Sequence, residues 1–305
     1  MTNASLENGT KAGFVALLGA PNAGKSTLMN AIVGQKISIV TPKVQTTRSR
    51  VRGIAMVEKS QIIFVDTPGI FKPKRRLDRA MVSAAWQGAD DADILLLLHD
   101  CARKKIDDDT LAIIADLKKL GRPVALVLNK IDLASPEQLL SRTKEISQML
   151  EFEQIFMVSA QTQNGLDDLQ NWLAAKVPNG PYLFDPDDLS DLPMRLMAAE
   201  VMREKLFLNL HQELPYQLTV ETEKWLDKED GSIEIRLTIY VAREGHRGIV
   251  LGKGGQTLKR IGTAARYELQ DIFDRPIHLL SHVKYRKDWM DDKARYSEWD
   301  LDFDA

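Results

Sequence analysis

At 305 residues the chain is long enough for about two domains, and its 44% hydrophobic and 28% charged residues exclude a disordered or fibrous protein. No apolar run approaches the ~20 residues that span a bilayer, and the polar opening stretch lacks the basic segment and apolar core of a secretory leader. The formal net charge of −2 is unremarkable, and the single cysteine, Cys101, excludes an internal disulfide or a cysteine-built zinc cluster. Cys101 is expected as a core filler in a cytoplasmic protein.

Residues 1–12 are expected to form a flexible N-terminus. From 13 to 178, short apolar runs alternate with helix-like segments, the pattern of βαβ units around a parallel sheet covered on both faces. Strands are predicted near 14–18, 51–57, 61–65, 94–98, 124–128 and 155–158, with ligand loops at their carboxyl ends. The first such loop reads Gly19-Ala20-Pro21-Asn22-Ala23-Gly24-Lys25-Ser26, followed by Thr27. Its glycines let successive N–H groups turn inward to meet phosphate oxygens at a helix N-terminus. Lys25 is expected to bridge the β- and γ-phosphates and the Ser26 hydroxyl to sit on Mg²⁺.

The predicted strand 61–65 runs into Asp66-Thr67-Pro68-Gly69. Asp66 can then hold Mg²⁺, and the Gly69 N–H can meet a γ-phosphate. After 124–128 comes Asn129-Lys130-Ile131-Asp132. A carboxylate is an acceptor only, so Asp132 suits the adjacent N1–H and 2-amino donors of guanine, which adenine lacks. Lys130 is expected over the ring plane, Asn129 as a tie to the phosphate loop, and Ser159-Ala160 as a source of a backbone N–H for the guanine O6.

In this order the motifs resemble the translation-factor class of P-loop GTPases, which implies a doubly wound, mostly parallel α/β sheet binding GTP or GDP with Mg²⁺. Residues 42–50 then correspond to the first switch, where a threonine closes on Mg²⁺ in the presence of the γ-phosphate; Thr47 is preferred, with Thr46 its rival. Ras-type enzymes position water with a glutamine just after the D-x-x-G glycine, but Ile70 follows Gly69 here. Some GTPases with an apolar residue there recruit a monovalent cation such as K⁺ through a phosphate-loop asparagine, the place of Asn22. Lys25, Thr47, Gly69 and Asn22 are therefore the catalytic candidates, and slow intrinsic turnover is expected.

Pro178-Asn179-Gly180-Pro181, with Pro186 and Pro193 among acidic residues, marks a linker over 179–193. A second domain is predicted over 194–287: a helix from Met194 to Leu214, strands near 217–225 and 233–241, a short helix ending at Gly252-Lys253-Gly254-Gly255, a longer helix to about Phe273, and a strand over 277–283. Ser232 to Lys287 holds eleven Lys and Arg against five Asp and Glu, whereas the acidic tail 288–305 holds two against seven. A basic block calls for a polyanionic partner, and the acidic end is expected to be solvated, or else to shield the basic face when no ligand is bound. The element order and the G-x-x-G turn resemble an α+β type II KH domain, which clamps single-stranded RNA. Arg247, Lys253, Lys259 and Arg260 are then phosphate contacts, and Ile249, Val250, Leu251, Leu258 and Ile261 the floor of a base groove.

A GTPase domain followed by a type II KH domain resembles the Era-type family of bacterial ribosome-associated GTPases, on the strength of Gln45-Thr46-Thr47-Arg48 and the stretch from Gly245 to Gly255. The resemblance implies a monomer that binds the single-stranded 3′ end of small-subunit ribosomal RNA, with no DNA partner, and acts in assembly of that subunit. Ala20 and Ala23 depart from the family loop at positions that tolerate small residues. Other readings are a GTP-dependent RNA regulator and a signalling GTPase held peripherally at the inner face of the cell membrane. The acidic end, with no terminal cysteine, opposes a membrane anchor.

Overall fold

In the computed structural model, which describes residues 9–305, the apolar runs of the first half become one six-stranded sheet. Its strands are β1 (Lys11–Leu18), β2 (Val51–Val57), β3 (Ser60–Asp66), β4 (Ile94–Asp100), β5 (Val124–Asn129) and β6 (Ile155–Met157), in the order β2-β3-β1-β4-β5-β6. All pairings are parallel except β2 with β3, which are joined by a tight turn. β3 and β5 are buried at every residue, as expected of strands covered on both faces. The covering helices are α1 (Lys25–Val33), α2 (Arg76–Asp91), α3 (Asp108–Leu120), α4 (Pro136–Ser147) and α5 (Leu166–Lys176).

Register carries the chemistry. Pairing of Leu17 with Asp66 puts the end of β1 beside that carboxylate, and pairing of Asp100 with Asn129 aligns the ends of β4 and β5. All the predicted strands form, although β1 starts at Lys11, inside the stretch expected to be flexible. The remainder of that stretch, 1–8, lies outside the described residues.

The chain divides into two compact units. The first comprises the residues up to Ser38, Thr47–Asp191 and Ser297–Ala305. The segment read as a linker is fixed to it: the Gln61 side chain accepts from the Leu183 and Phe184 N–H groups at 2.8 and 3.1 Å, and Ser190 donates to the Arg52 carbonyl at 2.6 Å. The acidic end is not simply solvated, because Trp299 and Leu301 are each 7% exposed within this unit. Two apolar side chains spaced two apart anchor the segment by burial while the intervening Asp300 stays largely in water.

The second unit comprises Leu192–Tyr296 together with Ile39–Thr46. It contains α6 (Met194–Asn209), β7 (Leu218–Asp227), β8 (Ile233–Val241), α7 (Glu244–Leu251), α8 (Gln256–Phe273), β9 (Ile277–Tyr285) and the short α9 (Lys293–Glu298). β7 runs antiparallel and β9 parallel to the central β8, the α-β-β-α-α-β arrangement implied by the KH resemblance. Alternation along β8 sends Ile233, Ile235, Leu237 and Ile239 into a core shared with α6 and α8. The segment 39–46 joins this unit through α6. The Val40 N–H donates to Glu204 at 2.8 Å, and the buried Arg203 guanidinium donates to the carbonyls of Gln45, at 3.3 Å, and of Thr46. Among the described residues no helix is long and apolar enough to cross a membrane.

Candidate nucleotide and RNA sites

The loop between β1 and α1 owes its shape to left-handed backbone: Asn22 has φ 65° and Gly24 φ 97°. At Gly24 a Cβ would lie 2.2 Å from the Asn129 amide nitrogen, so only glycine fits there. Lys25 opens α1 and is 6% exposed, its ammonium donating to the Gly19 and Ala20 carbonyls at 3.0 and 3.2 Å. Burial lowers its pKa to about 8, opposed by Asp66 and assisted by the Arg103 guanidinium. An ammonium held at a cost of desolvation gains most from an incoming anion. Gly69 packs on the same loop, where an added Cβ would meet the Pro21 Cα at 2.9 Å, and the Ile70 N–H donates to the Gly19 carbonyl at 3.2 Å.

Three predicted ligands converge beside Lys25. The Ser26 hydroxyl lies 2.6 Å from Asp66 Oδ2 and 3.0 Å from the Thr47 hydroxyl, and Thr47 lies 3.4 Å from the same carboxylate oxygen. Ser38, which sequence reasoning missed, adds a bond to Asp66 Oδ2 at 2.9 Å. Asp66 is fully buried, and burial raises its pKa against the opposing hydrogen bonds from Ser26, Ser38 and Thr47 and the charge of Lys25. Its second oxygen, Oδ1, is buried with no hydrogen-bond partner. Two hydroxyls and a carboxylate with an unused buried oxygen form a hard oxygen donor set suited to a small divalent cation. Thr46 is elsewhere, its hydroxyl bonded to Thr41 Oγ1 and the Lys43 carbonyl, both at 2.6 Å.

At the other end of the loop, the Asn129 side chain donates to the Ala23 carbonyl at 3.0 Å and accepts from the Lys130 and Ala160 N–H groups at 2.8 and 3.1 Å. The Ser159 N–H goes to the Asn164 carbonyl at 2.9 Å, so both N–H groups considered for the guanine O6 have partners within the protein. Lys130 donates to the Asn22 carbonyl at 2.9 Å and to Asp100 at 2.7 Å, and Asp132 is exposed in the turn that follows. Asp100 and Arg103 were not anticipated. Arg103 donates to the Pro21 carbonyl at 2.8 Å and pairs with Asp107 at 2.6 Å. Asp100 follows an apolar run at a strand's carboxyl end, the position that had already singled out Asp66.

In the second unit, Gly252, Gly254 and Gly255 all have positive φ. A Cβ on Gly252 would clash with the Thr257 side chain at 2.1 Å, whereas Gly254 and Gly255 face open space. The turn borders a groove of about 480 Å³ lined by Leu251, Leu258, Lys259, Thr263, Arg266 and Ser281, among others. Of the expected floor, Val250 and Ile261 are instead core residues at 0% and 1% exposure, and Ile249 is 58% exposed. An apolar run on a helix must divide between core and surface, so it cannot line one groove throughout. Arg247 pairs loosely with Glu244 at 3.8 Å and Arg260 donates to Asn209 at 3.2 Å. Thr263 and Arg266 were missed, though they follow Lys259 at helical spacing along α8.

Residues 14–130 match the family described as 50S ribosome-binding GTPase, and residues 213–290 match the KH domain family. The chain is 54% identical over 295 residues to GTPase Era of Sinorhizobium medicae, covering 96% of this chain and 94% of that protein. To GTPase Era of Mesorhizobium japonicum it is 55% identical over 294 residues, with the same coverage. Among solved structures, a variant of Aquifex aeolicus Era bound to GDP·AlF4⁻ is similar at 37% identity and a TM-score of 0.89, covering 95% of this chain and 99% of the other. An Era complex with MgGDPNP and nucleotides 1506–1542 of 16S ribosomal RNA is similar at the same identity and TM-score, covering 95% and 98%.

Proposed function

The chain belongs to the Era family and is a GTP hydrolase that binds ribosomal RNA; from that premise we propose how its residues divide the work. The first unit binds GTP with Mg²⁺, and the second holds the single-stranded 3′ end of small-subunit ribosomal RNA during assembly of that subunit. The observation that carries the nucleotide reading is the convergence of Ser26, Thr47 and the half-satisfied Asp66 carboxylate next to a buried Lys25.

When bound, Mg²⁺ would supply charge neutralisation at the phosphates. Ser26, Thr47 and Asp66 would hold it. Lys25 moves from loop carbonyls to phosphate oxygens, the Gly69 N–H faces the γ-phosphate, and Asp132 selects guanine through its two adjacent donors. Ile70 is buried and its N–H is engaged, so it orients no water. Slow intrinsic turnover follows, and Asn22 is our candidate for recruiting K⁺ to offset the developing charge. Equal turnover in potassium and sodium salts would remove Asn22 from that role.

For RNA, the G-x-x-G turn presents backbone without side-chain obstruction, with Lys253 supplying charge in the turn and Lys259 and Arg266 along the groove. Gly254→Asp tests the division directly, because its φ of 58° is one that aspartate tolerates and a Cβ there meets nothing within 4 Å. The variant should keep GTP affinity and lose affinity for a short single strand. Loss of both, or of neither, contradicts the assignment.

A further inference from the structure

We propose that the cationic segment from Lys72 to Arg79 in the first unit is a second docking site for RNA backbone phosphates, which the chain's own residues 297–305 cover when RNA is absent. The proposal rests on the RNA-binding function given above and assigns it a further surface.

Between Gly69 and the first turn of α2 the chain displays Lys72, Lys74, Arg75, Arg76 and Arg79, all exposed. The one acid in the run, Asp78, is buried and occupied by the Lys74 and Arg75 N–H groups, at 3.0 and 2.9 Å. These bonds fix the loop onto the helix, whose N-terminal end adds to the positive potential. None of the nucleotide-site assignments uses these five cations. Clusters of Lys and Arg without base-reading geometry are what a phosphate backbone binds, independently of sequence.

The second observation is what already sits there. Residues 297–305 carry Asp300, Asp302 and Asp304, and they belong to the first unit. Asp300 accepts from Arg50 at 2.5 Å, the Ala305 carbonyl accepts from Arg79 at 3.4 Å, and the Arg76 guanidinium lies 4.4 Å from the centre of the Phe303 ring. Trp299 and Leu301 anchor the segment by burial. The segment thus touches two of the five cations through the Phe303 ring and the Ala305 carbonyl and leaves them largely exposed, while its aspartates add negative charge beside them. The Asp300 side chain is 63% exposed, so its pairing with Arg50 is weak and screened by salt. A closely spaced polyanion can displace such a cover.

The test uses full-length protein and two RNAs, a short single strand that fills only the groove beside the G-x-x-G turn and a small-subunit ribosomal RNA fragment that adds a duplex. Affinity is measured by fluorescence anisotropy across a salt series. Lys72→Ser with Lys74→Ser removes two exposed cations outside the nucleotide site, so the salt slope on the longer RNA should fall by roughly 2, at about 0.9 per phosphate contact, with short-strand affinity unchanged. Replacing Asp300, Asp302 and Asp304 by serine, which keeps the Trp299 and Leu301 anchors, should tighten binding of the longer RNA severalfold. An unchanged slope in the lysine variant overturns the docking site, and unchanged affinity in the aspartate variant overturns the cover. If Gly254→Asp leaves short-strand binding intact, it is the RNA assignment of the second unit that fails instead.

Discussion

Raising the pH should weaken nucleotide binding through loss of the Lys25 proton. Burial holds its ammonium at a pKa of about 8 against an ordinary 10.5. A bound phosphate returns that pKa to at least its ordinary value, since an opposite charge favours the protonated form. Affinity is therefore fully expressed below pH 8 and declines as the pH rises toward the bound-state pKa. Between pH 7 and pH 8.5 the dissociation constant should rise about fourfold, with about 0.7 proton taken up per nucleotide at the upper end. Calorimetry in two buffers of different ionisation enthalpy reads the proton uptake directly, and fluorescent GDP titration reads the affinity. Lys25→Met should bind more weakly at every pH, and whatever pH dependence it keeps reports titration of other groups, the guanine ring included, which the comparison subtracts. Flat affinity over this range with no proton uptake would refute the placement of Lys25 as a desolvated cation awaiting phosphate.

Other consequences follow from the same geometry. Thr47→Ala should abolish the gain in GTP affinity on adding Mg²⁺ while Thr46→Ala preserves it, and the opposite pattern would reverse the choice between them. In Gly24→Ala, the clash with Asn129 and the φ of 97° should cost about 1–3 kcal/mol of stability, and nucleotide affinity should fall at least tenfold; a thermal melt and a GDP titration check the two effects. His99, 1% exposed on β4, has its pKa lowered to about 4, chiefly by burial and secondarily by Arg142. The folded state therefore resists protonation, and its stability should fall as pH drops from 6.5 toward 4, by about 2 kcal/mol at pH 5. A His99→Leu variant whose melting temperature declined just as steeply over that range would assign the loss to other groups.

Much of the site was legible because its motifs are short and local. A glycine turn between an apolar strand and a helix, or a carboxylate at a strand's end, needs only a few neighbours to define its chemistry. Thus Lys25, Ser26, Asp66, Asn129 and the Gly252–Gly255 turn could be named from their spacing, as could, approximately, the nine strands of the described residues. Local pattern was silent wherever partners come from distant segments. It gave no physical ground for preferring Thr47 to its rival Thr46, because the two hydroxyls differ only in what the fold brings near them.

The amino-acid sequence by itself determined the local chemistry: a glycine loop between strand and helix, carboxylates at strand ends and in the turn after β5, and a glycine turn between two helices, each set by backbone freedom and donor type within a few residues. Only the tertiary structure decided the company those motifs keep. It bound residues 39–46 to α6 through buried Arg203 and Glu204, drew Asp100 and Arg103 against the phosphate loop, and folded the acidic end onto arginines. Those outcomes depend on long-range burial and pairing of charges far apart in the chain, which no local periodicity encodes.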